Sequence, residues 1–299
     1  MDLRRAYGLT IDSALPLRGL QTVGETAEAV VDVVVERGRV EEVPGNGSWH
    51  RFGPGRACLA WEGTCAIAIE SGRRVVVDAI TADLDLVDQV LLGPAMALLL
   101  QQRGLYPLHA SAVQIGSTAV VFAGDSGAGK SSIGLALRQR GHRILADDIG
   151  ALECRSGTTS LWQGPGSIRS WPDALTSIGV APDAYEPLHD GTAKKLVVLD
   201  QAETEGVENP RVSRIYALRK SPSIERRALV GLEKVLTLLR HVCYPELVGG
   251  ARGPEALLQN CLAIADTIDV TLVQQDAHYS ASAEFLDQVE REALSVSSS

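Results

Sequence analysis

Thr118-Ala119-Val120-Val121-Phe122-Ala123-Gly124-Asp125-Ser126-Gly127-Ala128-Gly129-Lys130-Ser131-Ser132 sets the architecture of this 299-residue chain. Its first part, Thr118 to Ala123, is a continuous apolar run that reads as a buried strand. The glycine-rich turn from Gly124 to Gly129 follows. Helical spacing then runs from Ser131 to Arg140 through Ile133, Leu135, Ala136 and Leu137, with Gly141 placed to end the helix. Between strand and helix the residues satisfy G-x-x-x-x-G-K-[ST]. Each part of that pattern has a physical task. The glycines let successive N–H groups turn inward around phosphate oxygens, and the helix start adds the positive end of its dipole. Lys130 supplies a point charge, and the Ser131 hydroxyl is a magnesium ligand. Gly124, Asp125, Ser126, Gly127, Ala128, Gly129, Lys130, Ser131 and Ser132 therefore form the expected nucleotide-phosphate site.

Downstream, Arg143 to Ala146 reads as a second short strand ending at Asp147-Asp148. In an open α/β sheet that end faces the ligand crevice. One carboxylate there suits Mg²⁺, and the other suits the proton of an attacking hydroxyl. Upstream, His109 lies in Pro107-Leu108-His109-Ala110-Ser111, where an apolar setting also fits a purely structural histidine.

Further from the loop the signals are coarser. The first 80 or so residues contain short runs split by glycine turns: Ala29 to Glu36, Cys58 to Trp61, Cys65 to Glu70 and Arg74 to Ile80. Together with loops at Pro44-Gly45-Asn46-Gly47 and Gly53-Pro54-Gly55, they predict an antiparallel meander. Asp83 to Gln102 has a broad apolar helical face, stopped at Gly104; its most apolar window, Val90 to Leu100, is too short for a bilayer and reads as a core helix. Beyond residue 150, Val180 to Lys194 reads as a polar loop. Lys195 to Leu199, Arg214 to Leu218 and Val270 to Val273 read as strands, Glu233 to Cys243 and Pro254 to Ile268 as helices, and Ser295 to Ser299 as a frayed end. The expected division is a β-rich unit at 1–82 and a catalytic unit at 83–299.

The bulk properties exclude several classes. A net charge of −9 leaves no basic excess for a phosphate-tracking nucleic-acid surface, and Arg138, Arg140, His142 and Arg143 read as a solvated helix end. Five scattered cysteines without Cys-x-x-Cys spacing argue for reduced thiols rather than disulfides or zinc. No apolar run follows the basic residues at the start, so no signal peptide is read there. The expectation is a cytoplasmic protein with neither membrane nor nucleic-acid partners.

Three segments in succession carry a family resemblance: Leu108-His109-Ala110-Ser111, the loop from Gly124 to Ser131, and Arg140-Gly141-His142-Arg143-Ile144-Leu145-Ala146-Asp147-Asp148. Together they resemble the catalytic domain of HPr kinase/phosphorylase. The resemblance implies an α/β fold with a P-loop core related to phosphoenolpyruvate carboxykinase; the smaller β-rich N-terminal domain read above from its strand and turn signals does not look like the family's usual N-terminal domain. It implies ATP and Mg²⁺ as cofactors and a serine hydroxyl as acceptor. By motif position, Asp148 would be the general acid/base, Lys130 would neutralise phosphate charge, His109 would stand by the transferring phosphate, and Asp147 would join Ser131 at the metal. The family's later Leu-Glu-Ile-Arg-Gly-Leu-Gly run is absent. The corresponding region is Gly166-Ser167-Ile168-Arg169-Ser170-Trp171-Pro172-Asp173, in which Asp173 is the nearest carboxylate for the metal.

Ile168-Arg169 with Trp171-Pro172-Asp173, Lys194-Lys195 and Leu239-Arg240-His241 resemble a divergent branch encoded with ribosomally made peptides, including kinases of the C-terminal serine of lasso-peptide precursors. That branch implies Arg169, Lys194, Lys195 and His241 as substrate contacts and a peptide or small protein as acceptor. The resemblance leaves a homo-oligomer open. A small-molecule kinase, a hydrolase and a non-catalytic nucleotide-sensing or scaffold module are the competing readings, and the N-terminal sheet is a candidate to bind a peptide by strand addition.

Overall fold

A computed structural model describes residues 3–23, 30–41, 47–200, 209–275 and 282–297. Ala29, the turn residues Pro44-Gly45-Asn46 and the last two residues, 298–299, lie outside the described residues. Strands β1 (Leu3–Ala6), β2 (Leu9–Ser13), β3 (Gln21–Thr22), β4 (Val33–Arg37), β5 (Trp49–Gly53), β6 (Arg56–Trp61), β7 (Cys65–Glu70) and β8 (Arg74–Ala79) make one sheet, ordered β3-β1-β2-β4-β8-β7-β6-β5. The expected meander holds from β5 to β8, where glycine turns join antiparallel neighbours. It fails at β4, which lies parallel to both β2 and β8. The sheet is therefore mixed: β4 enters by a long connection and the β5–β8 meander is laid outside it, a topology that local turn signals do not encode.

The helical run that follows is α1 (Leu84–Val90), a π-helical turn at Leu91–Ala95, and α2 (Met96–Gln102). Asp83 caps α1 by accepting from the Asp85 and Leu86 amides. Pro94 has no N–H to donate and crowds the preceding turn, so the backbone widens there instead of continuing as a plain α-helix. Leu84–Gln102 is long and apolar enough to cross a membrane by length and composition, but 78% of its most apolar window is buried inside the protein. It is the core helix that the sequence predicts.

The second sheet contains β9 (Tyr106–Ile115), β10 (Thr118–Gly124), β11 (Arg143–Ala146), β12 (Ile149–Arg155), β13 (Thr158–Trp162), β16 (Val212–Lys220), β17 (Glu225–Leu229) and β18 (Asp269–Gln275). Its order is β13-β12-β9-β10-β16-β18-β17, with β11 also on β9. β14 (Ser167–Ser170) and β15 (Lys195–Val198) form a separate two-stranded ribbon. The helices are α3 (Lys130–Gln139), α4 (Pro172–Ser177), α5 (Gly231–Arg240), α6 (Pro245–Ala251), α7 (Pro254–Thr267) and α8 (Ala283–Ser297). Ser295 to Ser297 thus close a helix rather than fray.

β10 shows how the layers are assigned. Its side chains alternate, so Ala119, Val121 and Ala123 enter one apolar cluster while Val120 and Phe122 enter another. The second cluster packs the sheet against α3 and α8, with Phe122, Tyr216 and Phe285 in mutual ring contact. The first runs without a break from Ile11, Ile67 and Val77 of the N-terminal sheet through Leu98 and Leu100 of α2 to Val121, Ile215 and Leu272. The two sheets therefore share a core.

Candidate active site

The loop between β10 and α3 has Gly127 at φ 74° and Gly129 at φ 97°, left-handed conformations that turn its amides inward. Lys130 opens α3 and is almost wholly buried. Its Nζ donates to Gly124 O at 2.7 Å, to Asp125 O at 3.0 Å and to His109 Nε2 at 3.0 Å. With Nε2 accepting, the proton of His109 belongs on Nδ1, which donates to Asp148 O at 3.0 Å and lies 3.4 Å from Asp148 Oδ1. Burial lowers the Lys130 ammonium, against the raising charges of Asp147 and Asp148.

The two acids occupy an interruption in a ladder. β11 pairs with the second half of β9, ending at Ala146 opposite Ala112, and β12 resumes on the same edge with Ile149 opposite His109. Between them Asp147 and Asp148 leave the ladder, with Asp148 at φ 72°. A left-handed non-glycine residue costs about 1–3 kcal/mol and persists where its surroundings enforce it. Here the Asp148 carbonyl accepts from His109 Nδ1 and from the Ala110 amide at 3.3 Å.

Asp147 Oδ1 accepts from Ser131 Oγ at 2.8 Å, and Oδ2 accepts from the Arg169 amide at 3.1 Å. Burial and then the Asp148 charge raise its carboxyl, more than these bonds and Lys130 lower it. For Asp148, burial alone would raise the carboxyl. The hydrogen bond from His109 outweighs it together with the charges of Arg169 and Lys194, and the net result lies well below the carboxylate range. Arg169 Nη1 lies 3.3 Å from Asp148 Oδ2. Two adjacent acids are thus driven apart in proton affinity, which separates their tasks.

Behind this turn sits the tip of the β1–β2 hairpin. Tyr7 and Gly8 form a two-residue turn with φ 53° and 67° between the paired Ala6 and Leu9. Tyr7 is 1% exposed, and its hydroxyl donates to Ile149 O at 3.2 Å. Burial pushes its phenol up, so it remains a donor. A methyl group on Gly8 would collide with the Trp162 ring, so only glycine fits.

These elements enclose a cavity of about 570 Å³ lined by the loop residues Ser126, Gly127 and Gly129 to Ser132, with His109, Asp147, Asp148, Arg169, Trp171, Asp173, Lys194 and Lys220. A smaller one of about 330 Å³ adjoins it, sharing His109, Ser126 and Asp148 and adding Asp125, Arg240, His241 and Tyr244. Arg240 Nη2 donates to Asp125 Oδ2 at 3.0 Å, and His241 Nδ1 is 3.7 Å from Asp125 Oδ1. The structure therefore gathers His109, Lys130, Ser131, Ser132, Asp147 and Asp148 with Arg169, Lys194 and Asp173 in one cavity, and places His241 in the next. Lys195 starts β15 outside the residues lining either cavity.

Lys220 and Trp171 went unassigned in the sequence: Lys220 ends a strand far from the loop in the chain, and no spacing links the two. Trp171 is half-exposed, with Lys194 Nζ 5.3 Å from its ring centre.

A magnesium ion fits this donor set. Ser131 Oγ and Asp147 Oδ1 are oxygen donors beside the loop, and buried Asp147 carries a carboxylate whose ionised form lacks full compensation. Among the described residues no three His, Cys, Asp or Glu side chains converge as a metal cage, and Asp173 stands on the exposed first turn of α4. Magnesium bound largely by substrate phosphates needs no such cage.

No family model matches the chain. The HPr kinase/phosphorylases of two strains of Treponema pallidum, one of them strain Nichols, are each 39% identical to it over 57 residues, 19% of this chain. The match spans only 18% of the length of each relative. Among solved structures, the Hpr(Ser) kinase/phosphatase from Coxiella burnetii is similar with a TM-score of 0.34 and 16% identity, covering 64% of this chain and 97% of that one. In sequence, the chain is HPr kinase-like over the matched segment.

Proposed function

We propose that this chain is an ATP-dependent kinase that transfers the γ-phosphoryl group to a hydroxyl, with a serine of a peptide or small protein as acceptor. The observation that carries this reading is the meeting of Lys130, Ser131 and the loop amides with His109, Asp147 and Asp148 in one cavity. A module that merely binds nucleotide has no need of a strained aspartate beside the phosphate site.

In the reaction, the acceptor oxygen forms a bond to the γ-phosphorus while the bond to the bridging oxygen breaks, and ADP leaves with that electron pair. Loop amides and Lys130 hold the phosphates and stabilise the charge that moves onto them. Asp148 accepts the hydroxyl hydrogen bond, orients the oxygen and receives its proton as the new bond forms. Its low proton affinity favours late transfer, in keeping with a loose transition state. His109 links Lys130 to Asp148 and fixes both. Ser131 and Asp147 would hold Mg²⁺, which neutralises β- and γ-phosphate charge when bound.

The narrower acceptor, the C-terminal serine of a lasso-peptide precursor, rests on the Arg169, Trp171-Pro172-Asp173 and Lys194 motifs; the support for it is that Arg169, Trp171, Asp173 and Lys194 line the cavity. The test is incubation with Mg-ATP and candidate precursor peptides, with the phosphate located by mass spectrometry. Phosphoserine formed by the wild type and lost in Lys130→Ala is expected. ATP consumed at the same rate with and without every acceptor would replace the kinase with a hydrolase.

A further inference from the structure

The loop is approached by two ammonium groups from opposite sides. Lys130 folds back to the loop's first carbonyls and His109, the side of β9 and the acids. On the other side β16 runs parallel to β10, with Leu218 opposite Gly124. Two residues beyond Leu218, the chain has risen past the end of β10 and Lys220 stands level with the loop. A methyl group built on Gly127 would lie 3.2 Å from Lys220 Nζ, which places this ammonium against the middle of the turn. Lys220 and Gly127 line the same cavity.

We propose that Lys220 is a second phosphate-binding cation, holding the polyphosphate of the nucleotide on the side away from Asp148. This rests on the reading of the loop as a nucleotide site.

The charge count supports the role. A fully ionised nucleoside triphosphate carries about four negative charges, and a divalent cation with one lysine supplies about three positive ones. The carboxylates of Asp147 and Asp148 flank the Lys130 side, so an added cation is most effective on the side of β16. There it meets the phosphates that become the leaving group, where negative charge accumulates as the terminal bond breaks. Lys220 is exposed at the end of its strand, so its ammonium reaches over the loop from the solvent side. The ligand class is a nucleoside di- or triphosphate in preference to a monophosphate.

Equilibrium binding of ATP, ADP and AMP to the full chain with Mg²⁺ tests this in the wild type, Lys220→Met and Lys220→Arg. Lys220→Met is expected to weaken ATP and ADP about tenfold, the range of a charge-assisted bond, and AMP less than about twofold. Lys220→Arg is expected to bind ATP within about threefold of wild type. Unchanged ATP affinity in Lys220→Met, or an equal loss for all three nucleotides, overturns the proposal. Lys130→Ala in the same assay separates the two readings. If it loses ATP while Lys220→Met retains it, Lys220 alone is misassigned. If Lys130→Ala still binds ATP like the wild type, the nucleotide site itself falls. An unchanged melting temperature in Lys220→Met is expected of an exposed strand end and keeps a folding defect out of the comparison.

Discussion

At the scale of single residues, Asp148 combines a strained backbone with a carboxylate held ionised by its neighbours. Asparagine tolerates the left-handed region and keeps the shape, but it cannot take a proton. Asp148→Asn is therefore expected to keep its fold and nucleotide affinity while losing about 10³-fold in transfer rate. Single-turnover kinetics beside ATP binding would check this, and a variant with near-native rate would remove Asp148 from the chemistry. His241 offers a different readout. Burial lowers its imidazole from 6.5 to about 4, so the unfolded chain binds the extra proton between those values. The stability from keeping it neutral is fully present above about pH 6.5 and is lost as pH falls towards 4. Between about pH 7 and pH 5 the wild type is expected to lose on the order of 2 kcal/mol more than His241→Gln. Urea midpoints at both pH values measure the difference; parallel losses would show that His241 titrates alike in both states.

At the scale of elements, the interrupted edge of β9 and the β1–β2 hairpin act on each other. Tyr7→Phe leaves the Ile149 carbonyl without its donor, an expected cost of about 1 kcal/mol. Amide exchange over 146–150 is expected to quicken and the transfer rate to fall, with ATP affinity unchanged. Exchange identical to wild type would show that the hairpin tip does not steady the acid turn. The P-loop unit was legible in the sequence because strand, turn and helix each carry a strong local signal and adjoin one another. Ser131, Asp147, Asp148 and His109 were legible as a set for the same reason, since β9 to β11 are neighbours in both chain and space. Arg240 meets Asp125, and Lys220 meets Gly127, across long stretches of chain, and no local periodicity encodes such meetings. The strands β1, β2, β12 and β13 were also missed. Their runs mix polar or charged with apolar residues, and the Trp162–Gly8 contact adds to the left-handed φ of Gly8 a second reason for a glycine after Tyr7.

At the scale of the whole molecule, the apolar cluster that joins the two sheets bears on the expected division at residue 82. Ile11, Ile67 and Val77 belong to one cluster with Leu98, Leu100 and Val121. Removing residues 1–82 would open that surface to water at roughly 25 cal/mol per Å² of apolar area. The truncated chain is expected to be insoluble or to bind hydrophobic dyes strongly. A soluble fragment with one cooperative melting transition would show that the second sheet stands alone. The lock between the hairpin tip and the Trp162 indole has a practical side for anyone recombining this chain with a homologue. A chimera with its crossover near residue 82 would inherit the tip from one parent and, from the other, the indole and Gly164, on which a methyl group would lie 3.3 Å from the Tyr7 ring. Such hybrids are expected to be most stable when both parents agree at Tyr7, Gly8, Trp162 and Gly164, so these four positions, rather than the seam itself, should guide where the parents are joined.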